Sequence, residues 1–141
     1  MKVWTNGCFD LLHAGHISFL LGAKRLSDPD GQLVIGLNSD ESVRRLKGKT
    51  RPIVEWNLRR YALLELFDNR EVQVVKIEDD PSPSILEIGP GIVVKSSQWA
   101  GRPMPELVTI QLIQARLVFL PAAYPEVSET SILELWNRRC T

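Results

Sequence analysis

Hydrophobic positions along the chain form two kinds of pattern, short apolar runs and longer stretches with helical spacing. Short apolar runs bounded by glycine, proline or polar clusters are typical of buried strands. Five such runs occur, at residues 3–4, 33–37, 72–75, 92–94 and 117–120. Helical spacing between and after them predicts helices. These helices cover residues 14–26, 57–67, 84–88, 107–115 and 131–138.

This alternation of strands and helices predicts the fold class. A strand, a helix and a second parallel strand form one crossover unit, and its repetition builds an open parallel sheet with helices on both faces. We therefore expect a Rossmann-like α/β fold with five parallel strands. The chain has no internal repeat or linker, and its 141 residues are near the usual size of one domain. Residues 1–141 are interpreted as a single domain.

The charge balance and the cysteines limit the classes of function. The 17 lysines and arginines are matched by 17 aspartates and glutamates, so the chain lacks the basic excess of a nucleic-acid-binding protein. Two cysteines, Cys8 and Cys140, form no disulfide framework and suit a reducing compartment. Residues 1–7 become polar too soon for a signal peptide, and no apolar run is long enough to span a membrane. We therefore expect a cytoplasmic protein with no nucleic acid or membrane partner.

The most promising polar cluster follows the first predicted strand, between Thr5 and His16. Ligands of open parallel sheets bind beyond the carboxyl ends of the strands, and the helix that begins here presents unpaired N–H groups to an anion. Gly7 allows an unusual backbone angle, and Gly15 lets a ligand approach the main chain closely. His13 and His16 lie on one side of the turn. Their imidazoles can donate hydrogen bonds to phosphate oxygens. We therefore predict a phosphate site in which the histidines form no covalent bond with the substrate.

The two histidines and Cys8 are also compatible with structural or metal-binding roles. The histidines could be packing residues or a zinc pair, although a helical zinc pair is usually spaced by four and needs a third ligand. Cys8 could be a nucleophile, but such a cysteine is more often a small buried residue at a strand end. We expect no metal ligand in the protein itself.

Residues 6–16, Asn-Gly-Cys-Phe-Asp-Leu-Leu-His-Ala-Gly-His, resemble the signature of the cytidylyltransferase-like nucleotidyltransferases. They are most similar to the adenylyltransferase half of the bacterial ADP-heptose synthases, and glycerol-3-phosphate cytidylyltransferase is the near second. The resemblance implies that His13 and His16 are catalytic and that Asp10 and Asp40 bind the acceptor. The nucleotide-binding residues that it implies in this part of the chain are Gly7, Cys8, Phe9 and Gly15.

The resemblance continues downstream. The basic segment 45–52 is similar to that of the heptose enzymes and implies that Lys47 reaches the triphosphate and is catalytic, although basic runs more often form a solvated face. Lys95 fits the heptose pattern, whereas Trp99 and Gly101 fit the glycerol pattern. Trp99 either stacks on a nucleotide base or on the acceptor, or packs on the core, and we assign it to the acceptor. The remaining nucleotide-binding residues implied are Arg59, Lys95, Ser128 and Thr130, and the last two could instead cap a helix.

Three segments depart from both relatives. Residues 96–98 replace glycine and acidic residues, and Glu129 replaces a hydroxyl residue where phosphates are expected. Residues 122–126 lack the arginine of the glycerol enzyme, for which Arg102 would have to compensate. The reaction class is therefore better determined than the substrate.

The resemblance implies transfer of a nucleoside monophosphate from an NTP to a small phosphorylated acceptor, with release of pyrophosphate. The implied cofactor is Mg²⁺, which would bridge the phosphates rather than occupy a protein cage. The implied assembly is a homodimer. Heptose 1-phosphate adenylyl transfer is the first expectation, and glycerol-3-phosphate-type cytidylyl transfer is the second. The alternative outside the class of active enzymes is a nucleotide-binding protein with weakened turnover.

Overall fold

The computed structural model of the protein describes residues 1–121 and 128–140. Five strands alternate with helices along the chain, as the hydrophobic pattern predicts. The strands are β1 (Lys2–Gly7), β2 (Gln32–Asn38), β3 (Val72–Ile77), β4 (Ile92–Ser96) and β5 (Arg116–Leu120). The helices are α1 (Ala14–Arg25), α2 (Asp40–Lys47), α3 (Trp56–Glu65), α4 (Ser82–Ile88), α5 (Leu107–Leu112) and α6 (Glu129–Cys140), with a short 3-10 helix at Ser97–Trp99.

The five strands form one sheet in the order β3-β2-β1-β4-β5. Every neighbouring pair is parallel, and Val3 in the centre pairs with Leu33 on one side and Ile92 on the other. The predicted parallel five-stranded α/β fold is confirmed. The strand order reverses between β1 and β4, and this is where open sheets of this kind form a ligand-binding crevice.

The two faces of the sheet are covered by different helices. Val3 and Trp4 are consecutive in β1, and successive side chains of a strand point to opposite faces. Each belongs to a separate buried cluster. The buried helical residues of these clusters are Leu20 and Ala23 of α1 and Leu63 of α3 on the Val3 side, and Ile85 of α4 and Ile110 of α5 on the Trp4 side. Gly36 leaves room for the Trp4 ring, since a Cβ there would lie 2.5 Å from its Cζ2 atom.

One helix, α2, was not predicted from the sequence. Its only buried residues are Ser42 and Val43, so it has almost no apolar stripe to detect. Its ends account for its formation: the Ser39 hydroxyl accepts a hydrogen bond from the Ser42 N–H, acidic residues occupy the first turn, and basic residues occupy the last. This helix carries Lys47 to the edge of the crevice.

The other helices are short and differ from the predicted ranges only at their ends. Helix α5 ends at Leu112 because Gln114 adopts a left-handed backbone angle, with φ of 56°. Helix α6 begins at Glu129, before its predicted start. The longest helices, α1 and α6, have 12 residues each. Across the two described ranges, no helix has the length and apolar character needed to cross a membrane.

Candidate active site

Residues from several parts of the chain meet beyond the carboxyl end of β1. The loop after β1 contacts the start of α6 through Asp10 and Glu129, and Glu129 in turn contacts Lys47 at the end of α2. Lys95, at the end of β4, approaches Asn6 at the end of β1. Residues far apart in sequence thus meet at the crevice where the phosphate site is predicted.

His13 is the N-cap residue of α1. Its Nδ1 atom accepts hydrogen bonds from the N–H groups of Gly15, at 3.0 Å, and His16, at 3.4 Å. A neutral imidazole whose Nδ1 accepts carries its proton on Nε2. The cap therefore fixes the tautomer of His13 and leaves one ring N–H as a donor for a ligand.

His16 lies against His13 as a stacked pair, with ring centroids 3.8 Å apart and planes 22° apart. Burial, together with the neighbouring His13 ring, lowers the pKa of His16 to about 4. The ring is therefore neutral at pH 7 in the unliganded protein. Its Nδ1 atom is buried with no hydrogen-bond partner among the described residues.

Phe9 packs against this pair. Its ring meets the His16 ring edge-on, with centroids 5.5 Å apart, and only 7% of the residue is exposed. A Cβ atom on Gly7 would lie 3.0 Å from the Phe9 ring, so glycine at that position lets the ring pack on the chain. Phe9 and Gly7 therefore position His16, and their predicted nucleotide contacts stay predictions.

The carboxylate of Glu129 lies at the centre of the site. Its Oε1 atom accepts hydrogen bonds from the backbone N–H groups of Asp10 and Leu11, at 3.0 and 3.2 Å. Its Oε2 atom accepts from Lys47 Nζ at 3.1 Å and from Arg51 at 3.2 Å. Burial is the largest single influence and opposes ionisation, but the charge and hydrogen bond of Lys47, the Leu11 N–H group and His16 together outweigh it, so the pKa of Glu129 lies below its usual value. We call these four donors the anion cage.

Lys47 and Arg51 supply the positive charge of the cage. Lys47 was predicted to reach the triphosphate, and the structure places it at the site with 40% of its side chain exposed. Arg51 was missed as a site residue. Its side chain is only 15% exposed and also lies 3.8 Å from Asp10. The only sequence feature that pointed to Arg51 was its position in the basic run 45–52. The sequence does not show which lysine or arginine of that run faces the site.

Asp10 has a role other than the predicted one in the unliganded protein. Its side chain has no exposed surface. Its carboxylate accepts hydrogen bonds from the N–H groups of Ile53 and Val54 at 2.9 to 3.0 Å. The side chain therefore ties the segment after Arg51 to the loop after β1, and its assignment to the acceptor stays a prediction.

Arg59 is also turned inward. Its guanidinium has no exposed surface. It donates hydrogen bonds to the carbonyl oxygens of Val54, Cys8 and Asn38 and to the Asp40 carboxylate, at 2.7 to 2.9 Å. Arg59 therefore ties the ends of β1 and β2 to the start of α3, with Asp40 as its ionic partner. The nucleotide contact predicted for Arg59 and the acceptor contact predicted for Asp40 stay predictions.

The surroundings of Cys8 disfavour its use as a nucleophile or a metal ligand. Burial raises the pKa of the Cys8 thiol, and both roles require the thiolate. Within the part of the chain that the structure describes, no group of three His, Cys, Asp or Glu residues could hold a metal ion.

The opposite wall of the crevice is formed by Lys95 and Trp99. Lys95 is 6% exposed, and its Nζ atom lies 3.0 Å from the buried Glu106 carboxylate and 5.1 Å from the Trp99 ring centroid. Trp99 is 39% exposed and lines an open pocket of about 580 Å³. Arg102 and Phe119 line the same pocket. The pocket offers an aromatic face beside a cation.

Ser128 and Thr130 lie at the start of α6. The Ser128 hydroxyl accepts a hydrogen bond from the Ser131 N–H, and the Ser131 hydroxyl lies within 2.9 Å of the Ser128 N–H and carbonyl oxygen. Ser128 therefore caps the helix, whereas no hydrogen bond of this cap involves the Thr130 side chain. Their predicted phosphate contacts stay predictions. The preceding segment 122–126, and Val127, lie outside the described residues.

Comparison with known proteins decides the family. Residues 4–128 match the cytidylyltransferase-like family. The chain belongs to this family. The match covers β1 from Trp4 onward, the two histidines and all four donors of the anion cage, and it ends at Ser128, just before Glu129. The nucleotidyltransferase class predicted from residues 6–16 is thereby confirmed.

Individual relatives agree with the family. The bifunctional protein HldE of Trichlorobacter lovleyi is 38% identical over 139 residues, covering 99% of this chain and 27% of that protein. HldE of Helicobacter pylori strain Shi470 is 40% identical over 139 residues, covering 98% and 28%. The chain thus spans about a quarter of the length of the curated relatives it matches. The crystal structure of a lipopolysaccharide core biosynthesis protein from Thermoplasma volcanium shares the fold, with a TM-score of 0.66 at 22% identity, over 87% of this chain and 96% of that one.

In this nucleotidyltransferase, burial of His16 predicts a dependence of stability on pH. The pKa of His16 is about 4 in the folded protein and near 6.5 in the unfolded chain. Between these values the unfolded chain binds more protons, so the free energy of unfolding falls as the pH falls from 6.5. The lowered pKa of His13, also due to burial, acts in the same direction. Urea unfolding from pH 7.5 to 5, where most carboxylates are still ionised, measures the effect.

A His16→Gln variant serves as the control, because glutamine does not titrate. Its free energy of unfolding should fall less between pH 6.5 and 5 than that of the wild type. Parallel curves for the two proteins would show that His16 is not buried in its neutral form.

Proposed function

We propose that the protein transfers a nucleoside monophosphate from an NTP to a small phosphorylated acceptor and releases pyrophosphate. The observation that carries the proposal is the pair of stacked, neutral histidines at the N-terminus of α1, beside Lys47 and Arg51. If the α-phosphate of a bound NTP lies near the histidines, the β- and γ-phosphates of the NTP come within reach of these cations. Donors directed at oxygens whose charge grows in the transition state accelerate such a transfer.

In the proposed reaction an oxygen of the acceptor phosphate attacks the α-phosphorus of the NTP. A new P–O bond forms, the bond to the β-phosphate oxygen breaks, and pyrophosphate leaves with that electron pair. The acceptor phosphate is already anionic at pH 7 and needs no general base. The protein therefore contributes positioning and charge stabilisation.

Magnesium fits this proposal as an ion carried by the nucleotide. The described residues offer no group of three acidic, histidine or cysteine side chains for a metal, and the Asp10 carboxylate is already used by backbone N–H groups. Phosphate oxygens and water would therefore hold the ion. Mg²⁺ commonly binds in this way when phosphates are present.

For the substrate we propose a heptose 1-phosphate and ATP. The support is the similarity of the chain to bifunctional HldE proteins over nearly its whole length, together with Lys95, which fits the heptose pattern. Glycerol-3-phosphate-type cytidylyl transfer is the second candidate, because Trp99 and Gly101, which fit the glycerol pattern, both line the pocket. Weakened turnover is the third, because the carboxylate of Glu129 is in the anion cage. A homodimer and a cytoplasmic location stay predictions.

Pyrophosphate release tests the proposed function. The protein is assayed with Mg²⁺ and each of the four common NTPs against sugar 1-phosphates, including heptose 1-phosphates, and polyol phosphates. We expect release with ATP and a heptose 1-phosphate and little release without an acceptor. Release with CTP and glycerol 3-phosphate would favour the second candidate. Nucleotide binding without release across the panel would overturn the enzymatic proposal.

A further inference from the structure

The anion cage has the donors of a phosphate site. It combines the backbone N–H groups of the adjacent residues Asp10 and Leu11 with one lysine and one arginine. Consecutive backbone N–H groups bind phosphate oxygens, and Lys and Arg add charge-assisted hydrogen bonds. The Nε2 atom of His16 lies 3.9 Å from Glu129 Oε1, the oxygen that accepts from the two backbone N–H groups. The cage is therefore next to His16, which is predicted to be catalytic.

The occupant of this cage is an anion supplied by the chain itself. The Glu129 side chain is 8% exposed, and each of its two oxygens accepts two hydrogen bonds. The carboxylate uses the donors that a phosphate group would need. A carboxylate and a phosphate cannot both use these donors, since like charges at such close distance repel strongly.

Release of the carboxylate does not require α6 to unfold. The helix is capped by hydrogen bonds between Ser128 and Ser131, which do not involve the Glu129 side chain. Rotation of the Glu129 side chain would therefore free the four donors while the helix stays in place. The Glu129 carboxylate would then be exposed to solvent.

We propose that Glu129 is an internal competitor for the phosphate-binding cage, so that the phosphates of the nucleotide bind by displacing its carboxylate. This inference rests on the proposed function and names the residue that sets its nucleotide affinity. If the cage is free of the Glu129 carboxylate for only a tenth of the time, it binds a phosphate ligand about tenfold more weakly than a cage that is always free. Glu129 thus lowers the affinity for polyphosphates while it stabilises the unliganded protein.

Binding of tripolyphosphate and of Mg²⁺–ATP to the whole protein, measured by calorimetry, tests this inference. In Glu129→Gln the amide oxygen can still accept from the two backbone N–H groups, but the negative charge is gone. We expect this variant to bind both ligands about tenfold more tightly than the wild type. Glu134→Gln removes an exposed carboxylate from the same helix and should leave both affinities unchanged. Equal or weaker binding by Glu129→Gln would overturn the inference.

Thermal unfolding gives a second measurement. Without ligand, Glu129→Gln should unfold at a lower temperature than the wild type, because Lys47 and Arg51 lose their anionic partner. Tripolyphosphate should raise the unfolding temperature of the variant more than that of the wild type. A variant that is as stable as the wild type without ligand, and gains no more from tripolyphosphate, would also overturn the inference.

These measurements separate the two proposals. Tighter polyphosphate binding by Glu129→Gln supports the competition even if no acceptor gives turnover, in which case only the proposed function fails. Turnover by the wild type with no gain in affinity in the variant leaves the function standing and overturns the competition. If neither protein binds tripolyphosphate or Mg²⁺–ATP, both proposals fail.

Discussion

Replacing His16 with alanine is expected to lower kcat by about 10²–10³-fold while the fold is retained. The ring lies at the N-terminus of α1, stacked on His13 and next to the anion cage, where it can donate to an α-phosphate oxygen. Its removal takes away a donor that acts on the charge of the transition state. Pyrophosphate release measures kcat, and circular dichroism checks the fold.

His16 is a cleaner probe than His13, because the His13 side chain also caps α1. A Ser18→Ala variant is the matched control: it alters the same helix two positions further on, where side chains point in another direction. The control should keep the wild-type kcat. Wild-type turnover in His16→Ala would exclude the catalytic role assigned to this histidine.

Replacing Arg59 with alanine is expected to lower the free energy of unfolding by about 3–5 kcal/mol. The substitution leaves the carbonyl oxygens of Val54, Cys8 and Asn38 without their donor and Asp40 without its ionic partner. Buried polar groups without partners incur most of this cost. Urea unfolding followed by circular dichroism gives the magnitude.

The neighbouring Arg60 provides the control, because it is exposed on the same helix. Arg60→Ala should change stability by less than about 0.5 kcal/mol, as is usual at surface positions. If Arg59→Ala were as stable as Arg60→Ala but bound nucleotide more weakly, Arg59 would be a ligand contact, as its match to the family pattern implies. The two results assign Arg59 to the framework or to the ligand.

Local pattern was sufficient to predict much of the fold. The runs at 33–37 and 92–94 are buried on both faces of a parallel sheet, so their apolar character is continuous and easy to detect. Helix α2 escaped prediction because a helix with two buried residues has no stripe to recognise. Its capping serine and its charge gradient were present in the sequence, but such signals are weaker than hydrophobic spacing.

The directions of buried polar side chains were not predictable in the same way. Asp10 lies within the signature and Arg59 matches the family's arginine at the start of the next helix, and both were assigned to ligands. In the structure their polar atoms pair mainly with the backbone. A buried charged residue near a crevice requires a partner. The amino-acid type of that residue does not show whether the partner is the substrate or the main chain. Only the packed loops bring the carbonyl and N–H groups within reach.

Periodicity and one short contiguous motif were enough to predict the parallel α/β fold, the family and the histidine pair. Which groups share the site depends on how distant segments of the chain pack together. Glu129 is distant in sequence from Asp10, Lys47 and Arg51, yet its carboxylate joins the loop after β1 to the basic segment 45–52. Long-range electrostatic pairing of this kind depends on how the loops at the ends of the strands fold together, and no local pattern encodes it.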